Sequence, residues 1–277
     1  MSCLLQSGLV LCDLDNLLLN ENGEIPQAVR DVLQLFCSRG GKLTVFSQRS
    51  PRAVRAVLGG IRLAAPALVC GGTMAYNYSD GSAQALCSFA GHEKTLFQRL
   101  PLERGVGVAL QMRDGTTRVL RMSAALDRHL KREWTPYLLV NAADINSQDV
   151  LRIMLYQDDR SVQLAALLDK TLGESAGVLL GERFGADAFV LSPGRVGAGE
   201  MLAAVCSAAG AEPEDTLVLA GGQSMLELMR AAGHSAVAAD APAELRLAAQ
   251  RTALTDAAQG AVMEILYQMV QKSEKLA

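Results

Sequence analysis

Apolar residues fall along this chain in two rhythms. Residues 8–13, GLVLCD, form an unbroken apolar run ending in an acid, the pattern of a strand buried on both faces. From Pro26 to about Arg39 the spacing changes. Val29, Val32, Leu33 and Phe36 recur at i, i+3, i+4 and i+7, which predicts a helix with Pro26 in its first turn and Gly40 at its C-terminal cap. KLTVFS, 42–47, is a second buried strand. Ser50-Pro51 opens a second helix carrying Val54, Val57 and Leu58, and ALVC, 67–70, is a third strand. Buried strands alternating with helices predict a parallel sheet wrapped by helices.

After SDGSA, 79–83, which reads as a linker, the texture changes. Residues 105–122 predict a hairpin turning at Asp114-Gly115. LRIMLYQ, 151–157, is another strand, and 159–173 an amphipathic helix. Near 186 the first rhythm returns. It gives a strand at 187–191, a helix at about 199–209 stopped by Gly210, a strand at 216–220, a helix from Ser224 to Ala232 and a short strand at 235–239. A last amphipathic helix carries Val262, Ile265, Leu266 and Met269. The expected organisation is an α/β core from 1–82 and 186–277, with an α+β domain, 83–185, inserted in it.

Composition adds bounds. The chain has 277 residues, half of them apolar, a fifth charged and only 4% aromatic, so Ala, Leu and Val fill the core. A net charge of −3 advertises neither nucleic acid nor an anionic membrane as partner. The six cysteines include no C-x-x-C pair and read as reduced packing residues, so an intracellular, cytoplasmic protein is expected. His92, His129 and His234 show no metal spacing, and Gly105-Val106-Gly107 lacks the rest of a dinucleotide fingerprint.

The chemistry is carried by VLCDLDNLLLN, 10–20, in which Asp13 and Asp15 stand at the carboxyl end of the first strand. Ligands of open parallel sheets bind beyond such ends. The second strand ends in Ser47, with Gln48 and Arg49 after it, and a hydroxyl plus free N–H groups there can cradle a phosphate. An aspartate beside a phosphate cradle is the beginning of a phosphoryl-transfer site.

These residues resemble the motifs of the haloacid dehalogenase (HAD) superfamily, in its Cof-type branch, whose members carry a large cap in a Rossmann-like core. The resemblance covers nearly the whole chain. D-x-D-G-T-L-L is matched by Asp13-Leu14-Asp15-Asn16-Leu17-Leu18-Leu19, T-G-R by Ser47-Gln48-Arg49, and M-L-x-A-A-G by LMRAAG, 228–233. It implies a phosphomonoester hydrolase using Mg²⁺. Asp13 would be the nucleophile, Asp15 the general acid and base, and Ser47 with Gln48 the phosphate holders; Asp13 and Asp15 would be what remains of a metal site.

The match fails where cations should sit. Ala198 stands at the position of the family lysine, and Gly221 and Met225 stand where two metal-binding acids are expected. Mg²⁺ needs near-octahedral oxygen ligands, and positioned charge contributes more than any other effect to such catalysis. Without it, Asp13 and Asp15 should repel and raise one pKa. Ser224-Met225-Leu226-Glu227 reads instead as a capping box. Arg49 and Arg195 are the candidates to bring a guanidinium to phosphate in place of the lysine. The expected function is a phosphatase-like protein with little or no hydrolase activity that binds a phosphorylated small molecule. The alternatives are a weak Mg²⁺-dependent phosphomonoesterase and a non-catalytic interaction module. The oligomeric state is not fixed by the sequence.

Overall fold

The computed structural model describes residues 8–89, 94–102, 105–158, 180–183, 188–194 and 196–274. The helix expected at 159–173 lies outside them, as does Arg195. The chain divides into two compact units, one of 1–48, 54–82 and 197–277, the other of 49–53 and 83–196.

In the first unit the strands are β1 (Leu9–Asp13), β2 (Lys42–Phe46), β3 (Ala67–Val69) and β4 (Met74–Tyr76), with β12 (Thr216–Ala220), β13 (His234–Val237) and β14 (Arg251–Thr252) from the C-terminal part. Their order is β14-β13-β12-β1-β2-β3-β4. All the pairs are parallel except β3 with β4, which is antiparallel. The strand order reverses at β1, so the ends of β1, β2 and β12 surround the topological switch point. Every residue of β1 and β12 is buried, which is why neither strand alternates in sequence.

Helix α1 (Gln27–Ser38) follows β1 and turns Val29, Leu33 and Phe36 inward. Helix α2 (Pro51–Leu58) follows β2, with Ser50 Oγ accepting the Ala53 N–H. The linker segment at 79–83, where the first unit gives way to the second, is a hydrogen-bonded turn. Asn77 N–H donates to Ser82 O at 2.9 Å, and the Asn77 and Asp80 side chains accept the N–H groups of Ser79 and Ser82. Short amide and acid side chains close such turns on their own backbone.

The second unit, after the short strand β5 (Ala83–Ala85) and helix α3 (Lys94–Arg99), contains β6 (Val106–Met112), β7 (Thr117–Arg121), α4 (Ala124–Arg132), β8 (Tyr137–Leu139), β9 (Val150–Gln157), β10 (Leu180–Arg183) and β11 (Ala188–Ser192). They form a six-stranded sheet in the order β10-β11-β9-β6-β7-β8. The hairpin turns at Gly115, φ +76°, and Asp114 accepts the Thr116 N–H. Each face is covered. Leu110, Ile153 and Leu155 pack with Phe89 and Phe97, while Ala109, Met154 and Val190 pack with Leu126 and Leu130 of α4.

The strand expected at 187–191 in the core belongs here: β11 runs antiparallel to β9 and β10. The reason is visible in its side chains, which fill both apolar faces of this sheet. A strand buried on both sides carries the same unbroken pattern in either kind of sheet, so the pattern could not assign it.

The chain re-enters the first unit at α5 (Ala198–Ala209), ended by Gly210 at φ +57°. Helices α6 (Leu226–Ala231), α7 (Ala243–Ala248) and α8 (Ala261–Glu274) complete it. The capping box at Ser224 does not form. A 3₁₀ turn, Gln223–Met225, precedes α6, neither start has a side-chain cap, and Glu227 pairs with Arg230 at 2.7 Å. No helix among the described residues is long and apolar enough to cross a membrane.

Candidate active site

Asp13 ends β1, level with Phe46 of β2, so its side chain emerges at the switch point. The segment after it is helical rather than extended. Leu14–Leu18 forms a single π-helical turn, closed by Leu19 N–H to Leu14 O at 3.2 Å. Asp13 caps it, Oδ1 accepting the Asn16 N–H at 3.1 Å, while Leu14, Leu17 and Leu18 anchor it in the core. Such turns recur at functional sites.

The other carboxylate oxygen is more crowded. Asp13 Oδ2 accepts from Asn16 Nδ2 at 2.9 Å, from the Gly222 N–H at 2.9 Å and from the Gly221 N–H at 3.2 Å. The two glycines follow β12, whose backbone brings them alongside Asp13 by its pairing with β1. Asp13 itself is 1% exposed. Burial pushes its carboxyl up from 3.8 to about 6; the Asn16 side-chain hydrogen bond pulls the other way, and the Asp15 charge adds a smaller push upward. The rise expected from carboxylate repulsion is present, with desolvation as its main cause.

Asp15 points to the second strand. Its Oδ2 accepts the Ser47 hydroxyl at 2.9 Å and the Gln48 N–H at 2.7 Å. Ser47 is held by its own N–H to Leu68 O at 2.8 Å, and its carbonyl accepts the Gly71 N–H at 2.9 Å. The hydroxyl and N–H read from sequence as a phosphate cradle are therefore together, with the Asp15 carboxylate in them. Gly71 and Gly72 turn the chain there at φ +65° and +85°.

The structure thus brings Asp13, Asp15, Ser47, Gln48 and Gly221 into one crevice of the first unit. Met225 is buried and contributes no oxygen there. Ala198 opens α5, whose first turn holds Glu200 and no basic residue. Arg49 belongs to the second unit. There, burial pushes the Glu133 carboxyl up, but the hydrogen bond from His129 and the charges of His129, Arg49 and Arg132 outweigh it and hold Glu133 below its ordinary range. Asn16 and Gly222 are the participants that the sequence did not single out as donors. An amide three residues after the acid was the available signal.

The residues present do not fit the Mg²⁺ implied by the resemblance. Both oxygens of Asp13 already face N–H groups, whose hydrogens repel a cation. Among the described residues no group of three or more His, Cys, Asp or Glu could hold a metal ion.

The sequence profile of the haloacid dehalogenase-like hydrolases matches residues 10–266. The chain belongs to that family. No curated protein matches it. Solved structures share its fold at low identity. A haloacid dehalogenase-like hydrolase from Bacteroides thetaiotaomicron is 14% identical, with a TM-score of 0.84 over 95% of this chain and 100% of that one. A protein from Thermotoga maritima is 16% identical, with a TM-score of 0.80 over 95% and 97%. A HAD subclass IIB sugar phosphatase is 12% identical, with a TM-score of 0.77 over 95% and 99%. The architecture is the HAD fold, a parallel-sheet core with an inserted α+β cap.

Proposed function

We propose that this HAD protein has little or no phosphomonoester hydrolase activity and binds a phosphorylated small molecule. The observation that carries this reading is the hydrogen-bonded state of Asp13. A nucleophile must present a lone pair to phosphorus, and here Asp13 Oδ2 already accepts three hydrogen bonds and Oδ1 one, which withdraw charge from the carboxylate and hold it in place. Among the described residues no group of three or more His, Cys, Asp or Glu could hold a metal ion to oppose the charge that builds up in attack on a phosphate dianion. The loss of even one positioned donor costs roughly 10²–10³ in rate. Gly221, Met225 and Ala198 are then positions from which the chemistry has been removed while β12, α6 and α5 keep their places.

Binding rests on the second strand. The Ser47 hydroxyl and Gln48 N–H are donors to an anion, as in their bonds to Asp15, and a phosphate oxygen takes them when the Asp15 side chain turns away. The structural likeness to a sugar phosphatase makes a sugar phosphate the first ligand to try.

The experiment is turnover of a generic phosphomonoester with Mg²⁺ by the purified protein and by Asp13→Asn, beside a thermal-shift series with inorganic phosphate and sugar phosphates. Equal background rates with a ligand-dependent shift are expected. Turnover that Asp13→Asn abolishes would establish the second reading, a weak Mg²⁺-dependent phosphatase, which the joint placement of Asp13, Asp15 and Ser47 favours. No turnover and no shift would leave the non-catalytic interaction module.

A further inference from the structure

We infer that the Asn16 side-chain amide stands in for the cation of this crevice. It is a built-in donor that fixes Asp13 and excludes both a divalent metal and an acidic side chain at position 221. This rests on the reading above, that the site works without a metal, and adds which residue keeps it so.

The chemistry follows from the atoms around Asp13 Oδ2. A carboxylate offers about four lone-pair sites over its two oxygens. Oδ2 alone receives Asn16 Nδ2, Gly222 N and Gly221 N, all within 3.2 Å. These partial positive charges do electrostatically what a bound cation would do, and they use the lone pairs a cation would need. Asn16 supplies both ends of the arrangement, its backbone N–H on Oδ1 and its amide on Oδ2. A glycine at 16 would provide only the first.

The packing is as exclusive as the charge. A Cβ built on Gly221 would lie 2.7 Å from Asn16 Cβ and 2.9 Å from Leu17 Cγ. One on Gly222 would lie 2.6 Å from Asn16 Nδ2 and 3.5 Å from Asp13 Oδ2. Asn16 Cβ is fixed to the π-turn backbone, so it cannot swing aside as the end of a long side chain could. Any side chain at 221 therefore competes first with the Asn16 side chain and then with Leu17 Cγ and the Asn16 backbone carbon, 3.2 Å away. The amide at 16 and the bare backbone at 221–222 form one device, and neither can revert alone.

The test is a double-mutant cycle between Asn16→Gly and Gly221→Asp, read by melting temperature with and without millimolar Mg²⁺. Gly221→Asp alone is expected to lower the melting temperature. In the Asn16→Gly background that loss should be at least halved, and only the double variant should melt higher when Mg²⁺ is added. Equal losses in both backgrounds would overturn the inference, as would a Mg²⁺-dependent shift in the unaltered protein. Should the double variant fail to fold, Asn16→Asp carries the test. This near-isosteric change turns the donor into an acceptor beside Asp13, so a lowered melting temperature that Mg²⁺ restores is expected. A variant melting like the parent, with no response to Mg²⁺, would reject the inference. Phosphomonoester turnover by the parent would instead defeat the functional reading, so the two failures are distinguishable.

Discussion

Ser47 Oγ donates to Asp15 Oδ2 across 2.9 Å, joining the ends of β1 and β2, two strands whose residues here are 32 positions apart. The hydroxyl is fully buried, and the same carboxylate oxygen also takes the Gln48 N–H. Asp15 is thereby held over the strand end where an anion was expected.

Removing that hydroxyl should be felt in stability. Ser47→Ala is expected to cost about 1.5–3 kcal/mol, the range for a hydrogen bond to a charged group. Urea denaturation of the two proteins measures it, and an unchanged midpoint would show the bond to be dispensable.

Asp13 gives a pH dependence of defined sign. Its folded-state pKa, pushed up to about 6, lies above the value of 3.8 for the free side chain. Between these values the folded protein holds more proton than the unfolded chain. The contribution to stability is complete below pH 3.8 and is lost as pH rises through 6, about 3 kcal/mol in all. Asp13→Asn should flatten this limb of the stability profile between pH 4 and 7. A profile identical to the parent's would refute the assignment.

Arg30 links α1 to α2. Its guanidinium donates to Leu58 O at 2.7 Å and Val57 O at 2.8 Å, carbonyls at the C-terminal end of α2, and to Ile25 O at 3.1 Å. A cation there also complements the helix dipole. Arg30→Met keeps the stem and removes these bonds, and should cost roughly 2–3 kcal/mol by chemical denaturation.

Gly233 is fixed by a close approach rather than by an unusual dihedral angle. A Cβ there would fall 1.8 Å from Glu214 O, and its N–H donates to Pro213 O at 2.8 Å. Gly233→Ala must displace backbone, so a loss of about 3 kcal/mol is expected, at the upper end for overpacking. A melting curve superposable on the parent's would contradict this packing.

Ser123 caps α4, accepting the Leu126 N–H at 3.2 Å. Ser123→Ala should cost about 1 kcal/mol. Because α4 covers one face of the second sheet, the loss should appear in hydrogen exchange at Leu126 and Leu130 first.

Much of this molecule is legible in one dimension. The apolar runs at 8–13 and 216–220, the 3.6-residue spacing of Val29, Leu33 and Phe36, and the Asp-Gly turn at 114–115 each report a local preference that the fold obeys. Local rules set a strand or helix wherever burial follows a regular period. The same rules placed Asp13, Asp15 and Ser47 at strand ends, because a polar residue closing an apolar run marks where a strand leaves the core.

Where each strand goes is a different matter. The run at 187–191 looks alike in a parallel and an antiparallel sheet, and only its partners β9 and β10 settle it. Ser224 and Glu227 have capping spacing, yet the 3₁₀ turn before α6 takes their place. The sequence alone determined the elements and the family pattern, with Gly221 and Met225 at positions where the resemblance implies acids, since these depend on neighbours along the chain. Only the tertiary structure decided what replaces them: Asn16 reaches Asp13 within one turn, but Gly221 and Gly222 reach it from more than 200 residues away, and contacts at that distance exist only once the sheet has formed.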